Sequence, residues 1–151
     1  MSKSQLIFVV DDEPAIRDIL ESVISYEGYP VITCQNSEVF YEQLEKKSPD
    51  LVLLDIWLPG TEGMAILSTL RETHPDLPVI MMSGHAGIDA AVNAIKKGAV
   101  DFMEKPLQLE ILLDKIAVVL SNKPPEKKKD LASDTQLEVA KLLITLYLPG
   151  Q

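Results

Sequence analysis

Short apolar runs alternate with segments of helical periodicity over about the first 120 residues of the chain. The apolar runs have the length of β-strands rather than of helices, and these predicted strands cover residues 6–10, 31–34, 51–54, 79–82 and 100–103. Each strand is followed by a segment in which apolar residues recur at helical spacing. We therefore predict five helices, which begin near Pro14, Ser37, Met64, Asp89 and Leu109.

This regular alternation predicts an α/β fold. Helices of this length between strands form right-handed crossovers, which give a parallel sheet that is covered on both faces. Five such units suit the flavodoxin-like doubly wound fold, with five parallel strands in the order 2-1-3-4-5 and five helices. Because the first and third strands are neighbours in that order, side chains that follow them should meet at one edge of the sheet.

The composition changes after Ser121. Residues 122–134 are polar and charged and contain two prolines, which is typical of a linker or of a solvated helix end. Apolar residues then recur at roughly helical spacing in 135–151 and predict a C-terminal helical extension, or the start of a truncated output domain. The expected division is thus a first domain at 1–121, a linker and this last segment.

The net charge, the cysteine content and the absence of targeting segments limit the expected partners and location of the protein. The formal net charge of −9 argues against binding of nucleic acid or of an anionic membrane by this segment, although DNA binding through an absent output domain stays open. The single cysteine, Cys34, lies in a predicted strand and is interpreted as a core residue. No signal peptide or transmembrane stretch is present, so we expect a cytoplasmic location and no membrane partner.

Polar side chains follow four of the predicted strands. Asp11 and Asp12 come after the first strand, Asp55 after the third, Ser83 after the fourth and Lys105 shortly after the fifth. Ligands of open α/β sheets bind just outside the carboxyl ends of the strands. We therefore expect three carboxylates, a hydroxyl and an ammonium to surround one position.

Such a cluster of carboxylates needs a cation. At an effective dielectric constant of ~20, two carboxylates about 5 Å apart repel each other by roughly 3 kcal/mol. Oxygen ligands without histidine or cysteine favour Mg²⁺, or Mn²⁺, over Zn²⁺. Together with an ammonium and a hydroxyl, the site has the equipment for phosphoryl transfer to Asp55. Glu13 is interpreted as a first-turn acid of the first helix rather than as a ligand.

Four motifs together resemble the receiver domain of two-component response regulators, over about residues 5–120. They are VVDDE at 9–13, LLDIWLPG at 53–60, MSGH at 82–85 and EKP at 104–106. The finer pattern is similar to receivers of nitrogen-regulation-type, sigma-54-dependent transcription factors. Those proteins usually carry an ATPase domain and a DNA-binding domain downstream, but no Walker A motif follows Pro124 here.

The resemblance implies roles for the acids. Asp55 would accept a phosphoryl group from the phosphohistidine of a sensor histidine kinase. Asp12 would bind Mg²⁺ directly and Asp11 through a water molecule, and the backbone carbonyl of Trp57 would complete the protein ligands. The domain would catalyse only its own phosphorylation and slow dephosphorylation, so it is expected to be a signalling module rather than an enzyme.

The resemblance also implies a switch. Ser83 and Lys105 would hold the phosphoryl oxygens, and Phe102, in place of the more usual tyrosine, would turn inward when Ser83 moves. Plain core packing is an equal alternative for Phe102. The fourth helix, fifth strand and fifth helix would then change and mediate homodimerisation or partner binding. Trp57 and His85 would tune water access and dephosphorylation, with a plain loop role equally open for His85.

Two other functions remain as alternatives. A receiver-like domain that no longer switches could serve as a protein-binding scaffold, although the complete set of acids argues against it. A Mg²⁺-dependent aspartyl phosphohydrolase usually has a second acid two residues after the nucleophile. That position is Trp57 in this chain, which counts against a hydrolase.

Overall fold

The computed structural model describes residues 4–58, 60–84 and 87–121. The predicted linker, the C-terminal segment and His85 lie outside these ranges. Seven strands are present in the described ranges: β1 Ile7–Val10, β2 Val31–Cys34, β3 Leu51–Asp55, β4 Trp57–Leu58, β5 Thr61–Glu62, β6 Val79–Ser83 and β7 Asp101–Glu104. The helices are α1 Pro14–Tyr26, α2 Ser37–Lys46, α3 Gly63–Thr73, α4 Ile88–Lys96 and α5 Leu109–Ser121.

Local sequence signals set the ends of several helices. Pro14 opens α1, where its missing N–H costs no hydrogen bond. The side chain of Asn36 caps α2 by accepting a hydrogen bond from the N–H of Val39 at 2.9 Å. Gly28 and Gly98 follow the C-caps of α1 and α4 with φ values of 100° and 108°, a conformation that glycine adopts without strain.

The main sheet confirms the predicted fold and strand order. Its five strands lie in the order β2-β1-β3-β6-β7 and all pair in parallel; the predicted fourth and fifth strands are β6 and β7. Val10 of β1 pairs with Leu54 of β3. The residues that follow this pair, Asp11 and Asp55, are therefore neighbours at the carboxyl edge of the sheet.

Apolar side chains cover both faces of this sheet. One cluster joins the strands to α2, α3 and α4, and includes Phe40, Leu67 and Ala94. The other joins them to α1 and α5, and includes Ile24 and Ile116. Every residue of β1, β3 and β6 is buried, as expected for the central strands of a doubly wound sheet.

Two local features differ from the expectations. A small antiparallel hairpin, β4–β5, was not predicted, because two-residue strands leave no periodic signal. Gly60 of the predicted turn lies between its two strands, whereas Pro59 lies outside the described residues. Asp55 and Ser83 are the last residues of β3 and β6, whereas the prediction ended those strands one residue earlier. Within the described ranges, no helix has the length and apolar character needed to span a membrane.

Candidate functional site

Three aspartates converge at the carboxyl edge of the sheet. Carboxylate oxygens of Asp11, Asp12 and Asp55 all lie within 4.8 Å of one another. Asp11 is fully buried and Asp55 is 4% exposed, whereas Asp12 is exposed to solvent. The pairing of β1 with β3 accounts for this convergence, which the sequence pattern predicted.

Each oxygen of the Asp11 carboxylate has one close partner. Its Oδ1 accepts a hydrogen bond from the backbone N–H of Glu13 at 2.9 Å. Its buried Oδ2 lies 2.7 Å from Lys105 Nζ, but this ion pair lacks the angles of a hydrogen bond. The buried Oδ2 is therefore paired with the Lys105 ammonium rather than with a neutral donor.

Asp55 carries a charge that its surroundings do not fully balance. Burial raises the pKa of its carboxyl, and the nearby charge of Asp11 raises it further. Two contacts act in the opposite direction: Oδ1 accepts the backbone N–H of Trp57 at 3.2 Å, and Oδ2 accepts a hydrogen bond from Lys105 Nζ at 3.3 Å. Because the pKa stays raised, the site favours a further positive charge.

Lys105 is the ammonium of the site. Its Nζ lies 2.7 Å from Asp11 Oδ2, 3.0 Å from Glu13 Oε1 and 3.3 Å from Asp55 Oδ2. Burial alone would lower the pKa of Lys105, but these three carboxylates outweigh it and raise the pKa above its usual value. The backbone N–H of Lys105 donates to the carbonyl of Ser83 at 2.8 Å, which ties the lysine to the end of β6.

The other predicted site residues, Ser83, Phe102 and Trp57, lie on three different strands. Ser83 is buried at the end of β6, one residue beyond Met82, which pairs with Asp55. Phe102 is 8% exposed and packs in the same apolar cluster as α3 and α4, so its ring is already inward in this structure. Trp57, two residues after Asp55, is 54% exposed.

Sequence reasoning was wrong about one contributor, Glu13, which it interpreted as a first-turn acid of α1, and it missed a second, Gly63. Glu13 is the N-cap residue of α1, but its side chain does not cap the helix and contacts Lys105 instead. Nothing in the chain reveals a partner 92 positions away. Gly63 is the second: a Cβ there would lie 2.0 Å from the carbonyl oxygen of Asp55, so only glycine lets α3 start this close to β3.

The donor set fits a hard divalent cation. Three carboxylates contact one ammonium, and the three clustered aspartates offer oxygen atoms without histidine or cysteine. Oxygen ligands of this kind suit Mg²⁺ or Mn²⁺.

A comparison with known families identifies the domain. The sequence profile of the response regulator receiver domain matches residues 7–117. The chain belongs to the response regulator receiver family. This membership agrees with the fold and with the acids at the carboxyl edge of the sheet.

Curated relatives of this receiver domain are nitrogen-regulation proteins. The nitrogen assimilation regulatory protein NtrX of Azorhizobium caulinodans is 39% identical over 109 residues, which are 71% of this chain and 24% of that protein. The DNA-binding transcriptional regulator NtrC of Escherichia coli is 40% identical over 105 residues, which are 70% of this chain and 22% of that protein. The chain thus spans about a quarter of the length of these relatives.

Solved structures agree with this assignment. The crystal structure of the receiver domain of NtrX from Brucella abortus superimposes with a TM-score of 0.73 at 41% sequence identity. The match covers 76% of this chain and 98% of that one. The described chain is therefore a receiver domain of the type found in NtrX and NtrC response regulators.

Proposed function

We propose that Asp55 accepts a phosphoryl group and that its phosphorylation switches this receiver domain to control an output, which in the whole protein is transcription. The observation that carries the proposal is the convergence of Asp11, Asp12 and Lys105 on Asp55. Asp55 is buried, has an ammonium on one oxygen and a backbone N–H on the other, and keeps a raised pKa. A carboxylate held in this way is oriented for attack on phosphorus.

The phosphoryl donor in this proposal is the phosphohistidine of a sensor histidine kinase. An oxygen of the Asp55 carboxylate forms the new P–O bond, and the P–N bond breaks with its electron pair returning to the imidazole. Lys105 balances charge on a phosphoryl oxygen, and the Ser83 hydroxyl donates a hydrogen bond to another. The short backbone link between Lys105 and Ser83 supports their acting on the same group.

Mg²⁺, or Mn²⁺, would be held directly by the carboxylates of Asp12 and Asp55 and by the backbone carbonyl of Trp57, and through a water molecule by Asp11. When bound, the cation supplies charge neutralisation for the acids and for the phosphoryl oxygens. The raised pKa of Asp55 and the clustering of the three carboxylates within 4.8 Å support this assignment.

The switch in this proposal runs from Ser83 to Phe102. Movement of Ser83 toward a phosphoryl oxygen would change the packing of Phe102, which already contacts the α4 side of the core. The affected surface is formed by α4, β7 and α5. Trp57 and His85 would tune water access and so the rate of dephosphorylation; the 54% exposure of Trp57 beside Asp55 supports its part in this.

Homodimerisation through this α4–β7–α5 surface is part of the same proposal. Ile88, Ile111 and Val118 on its helices are 43%, 44% and 54% exposed, which supports an apolar contact area. Sedimentation velocity before and after phosphorylation tests it, and a constant monomer would argue against it. DNA would be bound only by an output domain outside this chain. A cytoplasmic location, expected for an acceptor of a kinase phosphohistidine, is tested by cell fractionation.

Intact-mass measurement after incubation with Mg²⁺ and acetyl phosphate tests the proposed function. We expect one phosphoryl adduct that requires Mg²⁺ and is lost in Asp55→Asn. The matched control is Asp101→Asn, since Asp101 is a buried aspartate on β7, away from the site, and should remain labelled. Absence of an adduct, where another receiver domain is labelled, would favour the scaffold alternative. Continuous phosphate release would favour the phosphohydrolase.

A further inference from the structure

Glu13 contacts the site without belonging to its group of clustered acids. It precedes α1, its side chain is 58% exposed, and its Oε1 accepts a hydrogen bond from Lys105 Nζ at 3.0 Å. The three acids whose oxygens lie within 4.8 Å of one another are Asp11, Asp12 and Asp55. Glu13 therefore binds the ammonium of the site while remaining outside the cluster suited to a metal ion.

The three contacts of Lys105 are not equivalent. The contact with Asp11 is the shortest, an ion pair of 2.7 Å to a fully buried carboxylate oxygen. The contacts with Glu13 and Asp55 are hydrogen bonds. A divalent cation beside the Asp11 carboxylate would repel the ammonium from Asp11, because two positive charges would then lie close together around one acid. The hydrogen bonds to Glu13 and Asp55 do not depend on that acid.

We infer that Glu13 is a positioning residue that keeps the Lys105 ammonium beside Asp55 when a divalent cation binds beside the Asp11 carboxylate. With the cation bound and Glu13 removed, Asp55 would be the one remaining partner of the ammonium. The charge of Asp55 is shared with the cation and, after transfer, with the phosphoryl group. The ammonium would then either stay on Asp11 and oppose cation binding, or move to solvent. Because this role for Glu13 rests on the proposed phosphoryl transfer, its test has to separate the two.

Mn²⁺ binding can be measured without phosphorylation, from the loss of the free-ion signal in electron paramagnetic resonance. The proteins to compare are the wild type, Glu13→Gln, Lys105→Met and the double variant. Glu21→Gln is the matched control, since Glu21 is an exposed acid of the same helix for which no contact with Lys105 is seen. Circular dichroism checks that each variant is folded.

We expect Glu13→Gln to weaken Mn²⁺ binding about two- to fivefold, the range for an exposed ion pair. Glu21→Gln should change it less. In the Lys105→Met background, Glu13→Gln should weaken Mn²⁺ binding clearly less. Without Lys105, the substitution removes only the direct attraction between the Glu13 carboxylate and the cation. An equal effect in both backgrounds, or tighter binding by Glu13→Gln, would overturn the role of Glu13. If Lys105→Met does not fold, equal effects of Glu13→Gln and Glu21→Gln overturn it as well.

The wild type separates this inference from the proposed function. Failure of the wild type to bind Mn²⁺ would count against the metal site itself, and failure of Asp55 to be labelled would count against phosphoryl transfer. Normal binding and labelling without coupling between Glu13 and Lys105 would remove only the positioning role. At saturating Mg²⁺, acetyl phosphate should label Glu13→Gln more slowly than the wild type, and the double variant no more slowly than Lys105→Met.

Discussion

The sheet carries a buried aspartate–lysine pair at each end, and the two pairs differ in how charge is shared. Asp55 and Lys105 lie at the carboxyl edge, where Asp55 ends β3. Asp101 and Lys115 lie at the opposite edge, where Asp101 begins β7 and Lys115 projects from α5. Both aspartates are buried, with 4% and 8% exposure.

At the opposite edge, each charge has its own partner. Lys115 Nζ donates to Asp101 Oδ2 at 2.7 Å, and the backbone N–H of Phe102 donates to Oδ1 at 2.8 Å. At the carboxyl edge, Lys105 is shared by Asp11, Glu13 and Asp55. The Asp101–Lys115 pair therefore has the contacts of a structural link between β7 and α5. At the carboxyl edge, by contrast, the acids outnumber their positively charged partners, and this imbalance is what indicates a functional site.

The largest expected effect tests how tightly the carboxyl edge is built. In Gly63→Ala, the new Cβ would lie 2.0 Å from the Asp55 carbonyl oxygen, so the backbone of β3 or of α3 must move. We expect a loss of about 3 kcal/mol in the free energy of unfolding, at the upper end for overpacking, together with slower phosphorylation. Urea denaturation and intact mass after acetyl phosphate treatment measure the two effects.

Gly60→Ala is the control for this change. Gly60 also precedes α3, at a φ of 76°, but a Cβ there has nothing within 4 Å. Only the left-handed backbone is strained, which costs about 1–2 kcal/mol. Equal losses in the two variants would mean that the close approach of Gly63 to Asp55 does not matter.

Exchange of each lysine for methionine should break the two pairs in different ways. Lys105→Met and Lys115→Met should each cost about 1–3 kcal/mol in metal-free buffer, the cost of leaving a buried polar group unpaired. Mg²⁺ should restore most of the stability of Lys105→Met, because the cation replaces the lost positive charge among the acids. Mg²⁺ should stabilise Lys115→Met no more than it stabilises the wild type.

Thermal melts with EDTA and with saturating Mg²⁺ make this comparison. Recovery of both variants would mean that Mg²⁺ acts generally on the protein rather than at the carboxyl edge. Recovery of neither would place the cation elsewhere or exclude its binding.

The parts of the site that follow from topology could be predicted from the sequence. The order of the strands brings Asp11 and Asp55 together. The alternation of five strands with five helices suits that order without any detail of side-chain packing. The contact between Glu13 and Lys105 and the close approach of Gly63 to Asp55 could not be predicted. They depend on loop conformations and on distances of a few ångströms between segments far apart in the chain.

The smallest expected effect concerns the pH dependence of stability in metal-free buffer. The pKa of Asp55 is raised from its ordinary value of 3.8 because burial and Asp11 outweigh Lys105 and the N–H of Trp57. The native state therefore holds this proton more tightly than the unfolded state does. The stabilisation is complete below about pH 3.8 and is lost as the pH rises through the raised native pKa.

Asp55→Asn should remove this loss. Above the raised pKa we expect the variant to melt a few degrees higher than the wild type, since about 1 kcal/mol moves the melting temperature by about 2–4 °C. The difference should shrink as the pH falls through the raised native pKa, because the wild-type carboxyl then becomes protonated. Asp101→Asn, which removes a paired carboxylate, should instead melt lower than the wild type at neutral pH. A destabilised Asp55→Asn at neutral pH would show that Lys105 alone balances Asp55, and the contrast between the two ends of the sheet would no longer hold.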